Sequence, residues 1–228
     1  ISGAQAAGGL KHRSFARVLK GGKAHGLFFV ATEFASGRNL EQMVEERGGP
    51  MDTRLAISIV RQVLDGLSSA HEKNLVHSGI FGDNIVVGNR LMVKIVDYDM
   101  MRPLTKPDQT ADARSMNILL YHCHVDRSFA APEQIAYPAV ADPKSDVFGA
   151  GAVLYYMLCG RAPYDQTLPG EKLSSAFDRT FAPPRTLNPA VPDAVASVVT
   201  QAMSEYSRFN TAEEMREALD EAARISRV

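Results

Sequence analysis

The sequence predicts an α+β protein with a small strand-rich front part and a larger, mainly helical remainder. Near the front, segment 27–32 is apolar, aromatic and β-branched, which is the pattern of a short strand. Further on, Leu55, Ile59 and Val63 recur at helical spacing and predict one buried helix face. With 228 residues, of which 45% are hydrophobic, the chain can bury the core of one large domain or two small lobes.

Turn residues and breakers place the other elements. Gly21 and Gly22 predict a hairpin turn before the strand at 27–32. Asp52 follows a Gly-Gly-Pro turn and is a suitable N-cap for the helix that contains Leu55. The apolar stretch 147–159 predicts a second buried helix. Further helical patterns occur around 171–179, 192–204 and 211–225, with Pro183, Pro184 and Pro189 between the first two.

The composition excludes several classes of protein. A net charge of -1 gives no electrostatic reason to expect nucleic acid or an anionic membrane as a partner. The only cysteines, Cys123 and Cys159, argue against a disulfide framework and fit a reducing compartment. The longest apolar stretch, 147–159, is shorter than a bilayer span. The sequence therefore predicts a cytoplasmic protein that makes no membrane contact of its own.

Five sequence blocks follow one another in a fixed order. Segment 76–85 has the sequence VHSGIFGDNI, and Asp-Tyr-Asp follows an apolar run at 97–99. Ala-Pro-Glu occurs at 131–133, SDVFGAG at 145–151 and SRFNTAEEM at 207–215. In order and spacing these blocks resemble those of bacterial, eukaryotic-like Ser/Thr protein kinases. The resemblance implies a protein kinase-like α+β fold, with a mainly helical C-lobe and a truncated N-lobe β-sheet.

The resemblance also implies the domain boundaries, which are an N-lobe remnant at 1–34 and a C-lobe at 35–228, with a catalytic-loop remnant at 76–87 and an activation segment at 97–133. Residues 1–10 could end the N-lobe helix, and segment 10–19 resembles the turn and strand that follow it. The family's Gly-rich loop, ATP-binding Lys and partner Glu are not found in this sequence. Because the chain begins with Ile1, we interpret it as a piece of a longer protein, in which further N-lobe or a membrane anchor could precede it.

The catalytic-loop remnant departs from the family at its chemical positions. Where the family has His-Arg-Asp-x-Lys, this chain has Ser78 in place of Arg, Gly79 in place of the catalytic Asp, and Phe81 in place of Lys. Glycine has no side chain that could accept the proton of a substrate hydroxyl. The departures predict that no catalytic residue is present.

Two polar residues of the family pattern are retained. Asn84 and Asp97 match the Mg²⁺ ligands of active relatives, and their oxygen atoms suit that ion. The alternative is that both serve only as hydrogen-bonding loop residues. An adenine site, if one exists, would involve Thr32, Glu33, Ala35 and Val86. We predict no bound cofactor, with ATP and Mg²⁺ as the alternative.

Other residues that match the family are predicted to have structural roles. His77 is expected to pack below Tyr98, and Asp146 to accept backbone N–H groups of the loop. Glu133 and Arg208 resemble a buried ion pair that ties the Ala-Pro-Glu turn to the late helices.

Two clusters invite a functional interpretation that the sequence supports less well. His122, Cys123 and His124 are adjacent potential metal ligands, but no second pair stands at zinc spacing, so they are interpreted as loop residues. Asp83 and Asp99 could in principle replace the missing acid/base group, although a base must lie within hydrogen-bond reach of the proton that it takes.

Together, these observations predict a pseudokinase that binds protein partners, either an active Ser/Thr kinase or a phosphopeptide-binding domain. Potential phosphorylation sites in the activation segment are Thr105, Thr110, Ser115 and Ser128. A reduced N-lobe would leave the apolar face of Phe28, Val30, Val86 and Ile95 partly bare, and such a patch favours a protein partner or a dimer. The alternatives are a nucleotide-binding switch and a weakly active Ser/Thr kinase whose remaining N-lobe lies outside this chain.

Overall fold

The computed structural model describes residues 8–25, 27–97, 102–103, 128–136, 142–164 and 180–228. At the front, strands β1 (Val18–Ala24) and β2 (Leu27–Thr32) form an antiparallel hairpin. In the remaining described ranges the helices are α1 Leu40–Arg47, α2 Thr53–His71, α3 Pro132–Ala136, α4 Pro143–Cys159, α5 Pro184–Leu187, α6 Asp193–Ala202 and α7 Ala212–Ser226. The α+β fold class is confirmed.

Short strands carry the segments around the catalytic-loop remnant. Strand β5 (Ile85–Val87) lies between β3 (Arg38–Asn39) and β6 (Val93–Ile95) in an antiparallel sheet. Strand β4 (Leu75–Val76) pairs with β7 (Arg102–Pro103). The catalytic-loop remnant therefore begins on β4 and ends on β5.

Helix α4 lies at the centre of the hydrophobic core. Asp142 caps its N-terminus by accepting a hydrogen bond from the Lys144 amide, and Gly160 ends it in the left-handed conformation at φ 73°. All residues from 145 to 159 are buried. At Gly149 a Cβ would lie only 2.7 Å from the carbonyl oxygen of Ile80, so glycine allows the loop to approach the helix closely.

Helix α2 packs between α4 and α7, as its apolar pattern predicts. Asp52 accepts hydrogen bonds from the amides of Arg54 and Leu55 at 3.0 and 3.2 Å, so the predicted N-cap is confirmed. Ile59 and Val63 are fully buried, while Leu55 lies at the edge of the core.

One prediction for the front part is wrong. Gly21 and Gly22 lie inside β1, and the chain reverses between Ala24 and Leu27. A Cβ at Gly22 would lie 3.1 Å from the ring of Phe29 on the paired strand, so close cross-strand packing explains this glycine. Of the apolar face that was expected to be partly bare, Val30 and Val86 are half-buried, whereas Ile95 is fully buried and forms a parallel bridge with Phe15.

Two of the remaining helix predictions fall on described residues and can be compared with the structure. Helices α6 and α7 correspond to the expected spans 192–204 and 211–225, and their ends differ from those spans by one or two residues. Residues 8–10 are not helical, whereas residues 1–7 and the expected helix at 171–179 lie outside the described residues.

Candidate functional site: the catalytic-loop remnant

Asp146 anchors the start of the loop on helix α4. Its carboxylate accepts hydrogen bonds from the backbone amides of His77 at 2.8 Å and Ser78 at 2.7 Å, the contacts expected from the sequence. The Nε2 atom of His71 lies 2.9 Å from the same carboxylate. Because the Asp146 side chain has no exposed surface, these partners compensate for the loss of water around its charge.

The side chain of His77 connects the loop to the strand that leads to Asp97. Its Nε2 atom lies 3.2 Å from the carbonyl oxygen of Val96. Complete burial lowers the pKa of His77, although the charge of Asp146 acts in the opposite direction. The imidazole is therefore held in its neutral form, which suits a packing role.

Ser78 occupies the position of the family's Arg with an unusual backbone. Its φ is 61°, in the left-handed region that few non-glycine residues adopt. The Nε2 atom of Gln134 donates to the Ser78 carbonyl at 2.8 Å, which links the loop to helix α3. The conformation of Ser78 is thus fixed from both sides by contacts to its backbone.

Gly79, at the position of the catalytic Asp, contributes only its main chain. Its carbonyl accepts a hydrogen bond from Nδ2 of Asn84 at 3.0 Å. The φ of Gly79 is not positive, so the backbone does not require glycine there. Any proton acceptor at this point of the loop would have to come from another residue.

The residues at 81–83 contact neighbouring parts of the fold. Phe81, at the position of the family's Lys, is 7% exposed and belongs to the hydrophobic core. A Cβ at Gly82 would lie 2.6 Å from Cγ of Glu41, so α1 packs directly against this turn. Asp83 is exposed and accepts a hydrogen bond from Nδ2 of Asn39 at 2.7 Å. Asp83 therefore already has a structural partner.

The two candidate Mg²⁺ ligands lie at the same end of the β5–β6 hairpin. The amide of Val96 donates to the carbonyl of Asn84 at 2.9 Å, which places Asn84 beside the residue that precedes Asp97. Asp97 is exposed and has a φ of 67°, a left-handed conformation that Asp tolerates better than most residues. With Nδ2 of Asn84 bonded to Gly79, its Oδ1 is the atom that could face a metal.

The hinge segment, residues 32–35 at the end of β2, is fixed by the carboxylate of Glu33. The Arg17 amide donates to it at 3.1 Å, and Nζ of Lys94 lies 3.2 Å away, and both interactions lower the pKa of Glu33. No hydrogen bond in the described part of the chain engages the backbone amide of Ala35. Of the proposed adenine-site residues, Glu33 could offer only its main-chain carbonyl, because its amide donates to the Arg17 carbonyl at 2.7 Å. Thr32 and Val86 lie on β2 and β5.

Glu133 and Arg208 form the ion pair that the sequence resemblance implies. Nη1 of Arg208 lies 2.5 Å from Oε1 of Glu133, and its Nη1 also donates to the Lys144 carbonyl at 3.0 Å. Burial favours a raised pKa for Glu133, but the hydrogen bonds and charge of Arg208 outweigh it, so the pKa is lowered. The guanidinium also stacks over the Phe148 ring at 4.9 Å.

Of the predicted phosphorylation sites, only Ser128 lies within the described residues, where it is partly buried. The other predicted site residues of the activation segment cannot be placed. Tyr98, Asp99, Thr105, Thr110, Ser115, His122, Cys123 and His124 lie outside the described residues.

Three contributors to the site were not singled out by the sequence. His71 is the basic residue in the last turn of α2, Gln134 follows the Ala-Pro-Glu block, and Lys94 lies mid-strand in β6. None of them belongs to a retained motif, so only their contacts reveal them.

Comparison with known protein families agrees with this architecture. The model of the protein kinase domain matches residues 4–218. The chain belongs to the protein kinase family. This kinase domain is similar to the serine/threonine-protein kinase PrkC of Bacillus subtilis, with 26% identity over 93% of the chain. It is 30% identical to PknL of Mycobacterium tuberculosis over 78% of the chain, and 25% identical to the probable kinase PknB of Lactococcus lactis over 90%.

These kinases are considerably longer than the chain. The alignments cover 32% of PrkC, 42% of PknL and 32% of PknB. Among the described residues of this kinase domain, no helix is both long enough and apolar enough to cross a membrane.

Proposed function

We propose that this kinase domain is catalytically inactive and serves as a protein-binding scaffold or regulator in bacterial Ser/Thr phosphorylation signalling. The observation that carries the proposal is Gly79 at the position where the family has its general base. General-base assistance is commonly worth about 10² to 10⁴ in rate. Phe81 adds a buried apolar ring where the family has a Lys that steadies the phosphate.

The proposed role as a regulator rests on what the loop retains. The contacts of Asp146, Gln134 and Asn84 hold the loop backbone in a defined shape without any of the missing side chains. A protein that keeps the fold and lacks the reacting groups can still present the family's surfaces to an active kinase or a phosphopeptide-binding domain. Ser128 is a described position at which a phosphate could create such a contact.

A second candidate is a domain that binds Mg²⁺ and ATP, either as a switch or with weak kinase activity. It is favoured by Asn84 and Asp97 at one end of the β5–β6 hairpin and by the Ala35 amide at the hinge. A carboxylate and an amide oxygen are suitable Mg²⁺ ligands, and the bound ion would neutralise phosphate charge. The remaining phosphate contacts would have to come from residues outside this chain.

One experiment separates the two candidates. Thermal unfolding of the protein is followed during titration with ATP, with and without Mg²⁺, for the wild type and for Asp97→Ala. The scaffold proposal predicts no shift of the melting temperature in either protein. A Mg²⁺-dependent shift that is lost in Asp97→Ala favours the nucleotide-binding candidate.

A phosphotransfer assay then tests inactivity itself. Transfer from radiolabelled ATP to a generic basic protein substrate is measured for the wild type and for Asp83→Asn, which removes the nearest alternative carboxylate in the loop. We expect no transfer above a heat-inactivated control in either protein. Transfer by the wild type that disappears in Asp83→Asn would overturn the proposal and identify Asp83 as a replacement base.

A further inference from the structure

A polar cavity is lined by the front segment, α2 and α7, and no residue of the catalytic-loop remnant lines it. It has a volume of about 210 Å³ and is lined by Arg13, Ser58, Arg61, Gln62, Asp65 and Arg216. The four lining residues of α2 are spaced three and four apart, so they share one face of that helix. Arg13 comes from the front segment and Arg216 from α7. Three separate parts of the chain thus bring guanidinium groups to one cavity.

The guanidinium groups are held in place but are not enclosed. Arg13 contacts Asp65 at 3.1 Å and its side chain is 69% exposed. Arg61 pairs with Asp220 at 2.6 Å. Arg216 pairs with Glu213 and, at 3.4 Å, with Asp220. These exposed or half-exposed pairs are weak, so an incoming anion can compete for the guanidinium groups. The paired carboxylates repel any anion, so a phosphate binds only by displacing them from the guanidinium groups.

A strained turn with exposed apolar side chains adjoins this cavity. Arg90 and Leu91 both have a φ of 57°, a conformation that is unfavourable for a bulky side chain such as Leu. Gln62 fixes the turn by donating to the Leu91 carbonyl at 2.9 Å and accepting from the Val93 amide at 3.2 Å. Leu91 is 41% exposed and Met92 46%. Backbone strain of this kind is found most often at functional sites, and here it holds two apolar side chains beside the cavity.

We propose that the cavity and this turn form a docking surface for a phosphorylated segment of a partner protein. The phosphate of a phosphoserine or phosphothreonine enters the cavity and is bound by Arg13, Arg61 and Arg216. An apolar side chain of the same segment packs on Leu91 and Met92. Gln62 lies between the two parts, since it lines the cavity and bonds to the turn. This surface contains no residue of the catalytic loop, so the proposal does not depend on whether the domain transfers phosphate.

The binding test uses fluorescein-labelled peptide pools of degenerate sequence with a fixed central residue. Pools with phosphoserine, serine or aspartate at the centre are titrated with the protein, and binding is followed by fluorescence anisotropy. We expect the phosphoserine pool to bind at least about tenfold more tightly than the other two. Equal binding of the three pools overturns the proposal.

Variants locate the binding. The double variant Arg61→Gln, Arg216→Gln should weaken binding of the phosphoserine pool by about tenfold or more. Arg224→Gln is the matched control, because Arg224 lies on the same helix and pairs with Glu221 away from the cavity. We expect the control to bind like the wild type. An equal loss in both variants would indicate a general charge effect and overturn the site.

Leu91→Asn separates docking from folding. Asn tolerates the left-handed conformation better than Leu, so the melting temperature should be maintained or raised. Affinity for the phosphoserine pool should nevertheless fall, because the apolar contact is lost. If Leu91→Asn binds the pool like the wild type, and inorganic phosphate displaces the pool as effectively as an unlabelled phosphoserine pool does, the cavity is an anion site only and the docking surface is overturned.

Discussion

Ser78 and Gly79 are neighbours in the catalytic-loop remnant, but their surroundings differ in kind. The Ser78 backbone is bonded on one side by Asp146 and on the other by Gln134. Within the described ranges, the hydrogen bond to Gly79 comes from Asn84 and is made to its carbonyl, and Gly79 carries no side chain. The shape of the loop depends on contacts to its backbone, whereas family chemistry depends on side chains at 79 and 81. The two can therefore be lost independently.

The contacts of Asp146 and Gln134, together with the Glu133–Arg208 ion pair, form the framework that holds the loop in place. The most direct way to disrupt this framework is to remove one partner of the ion pair. Glu133→Ala leaves the Arg208 guanidinium, whose side chain is 6% exposed, without its carboxylate. We expect the free energy of unfolding to fall by about 3 kcal/mol, measured by urea denaturation. Glu221→Ala is the control, since its pair with Arg224 lies on the surface, and it should change stability little. Similar losses in both variants would contradict the assignment of Glu133 to the framework.

A second framework test concerns the anchor of the loop. Asp146→Asn keeps the shape of the side chain but removes the charge that accepts the His77 and Ser78 amides. We expect a loss of about 2 to 3 kcal/mol in urea denaturation. Asp142→Asn on the same helix should be close to neutral, because Asn caps a helix about as well as Asp. An unchanged Asp146→Asn midpoint would show that the loop does not need this charge.

Restoring the family's residue should change the stability by different amounts at positions 79 and 81. Phe81→Lys removes an aromatic ring from the core and should cost about 2 kcal/mol, even if the Lys ammonium reaches solvent. Gly79→Asp should cost less than Phe81→Lys, because the φ of Gly79 is not positive and Asp can adopt this backbone conformation, although residue 79 is buried. Urea denaturation of the two single variants tests this. A larger loss at 79 than at 81 would show that the loop has repacked around the missing Asp.

The smallest expected effect is a pH dependence from His77. Since its pKa in the folded protein lies below the ordinary 6.5, the unfolded chain takes up a proton first as the pH falls. Stability contributed by neutral His77 is therefore present above pH 6.5 and is lost as the pH falls below that value. The melting temperature should fall less between pH 7.5 and 5.5 in His77→Gln than in the wild type. If the melting temperatures of the two proteins fall equally over this pH range, His77 does not contribute to the pH dependence of stability.

Much of the framework could be predicted from the sequence, because its signals are local. The N-cap at Asp52 and the buried helix around Gly149 follow from residue types at fixed spacing. The hairpin turn was misplaced, because both glycines lie inside β1 and Gly22 packs against the ring of Phe29 rather than reversing the chain. A Gly-Gly pair by itself does not distinguish those two uses.

Partners of the candidate site were harder to predict. Glu33 was expected near the adenine, but its carboxylate is bonded to the Arg17 amide and to Lys94. Asp83 was a candidate acid/base group and is bonded to Asn39. All three partners are distant in sequence from the residue that they bind, so no local pattern indicates them.

By itself, the sequence determined the family, the α+β fold class and the loss of the family's side chains at 78, 79 and 81, because residue types at fixed spacing carry that information. The tertiary structure alone decided how the loop keeps its shape, through Asp146 and Gln134, and which arginines meet beside the Leu91 turn. The reason is physical. Hydrogen bonds and charge pairs depend on distances between segments far apart in the chain, and only the packing of the helices fixes those distances.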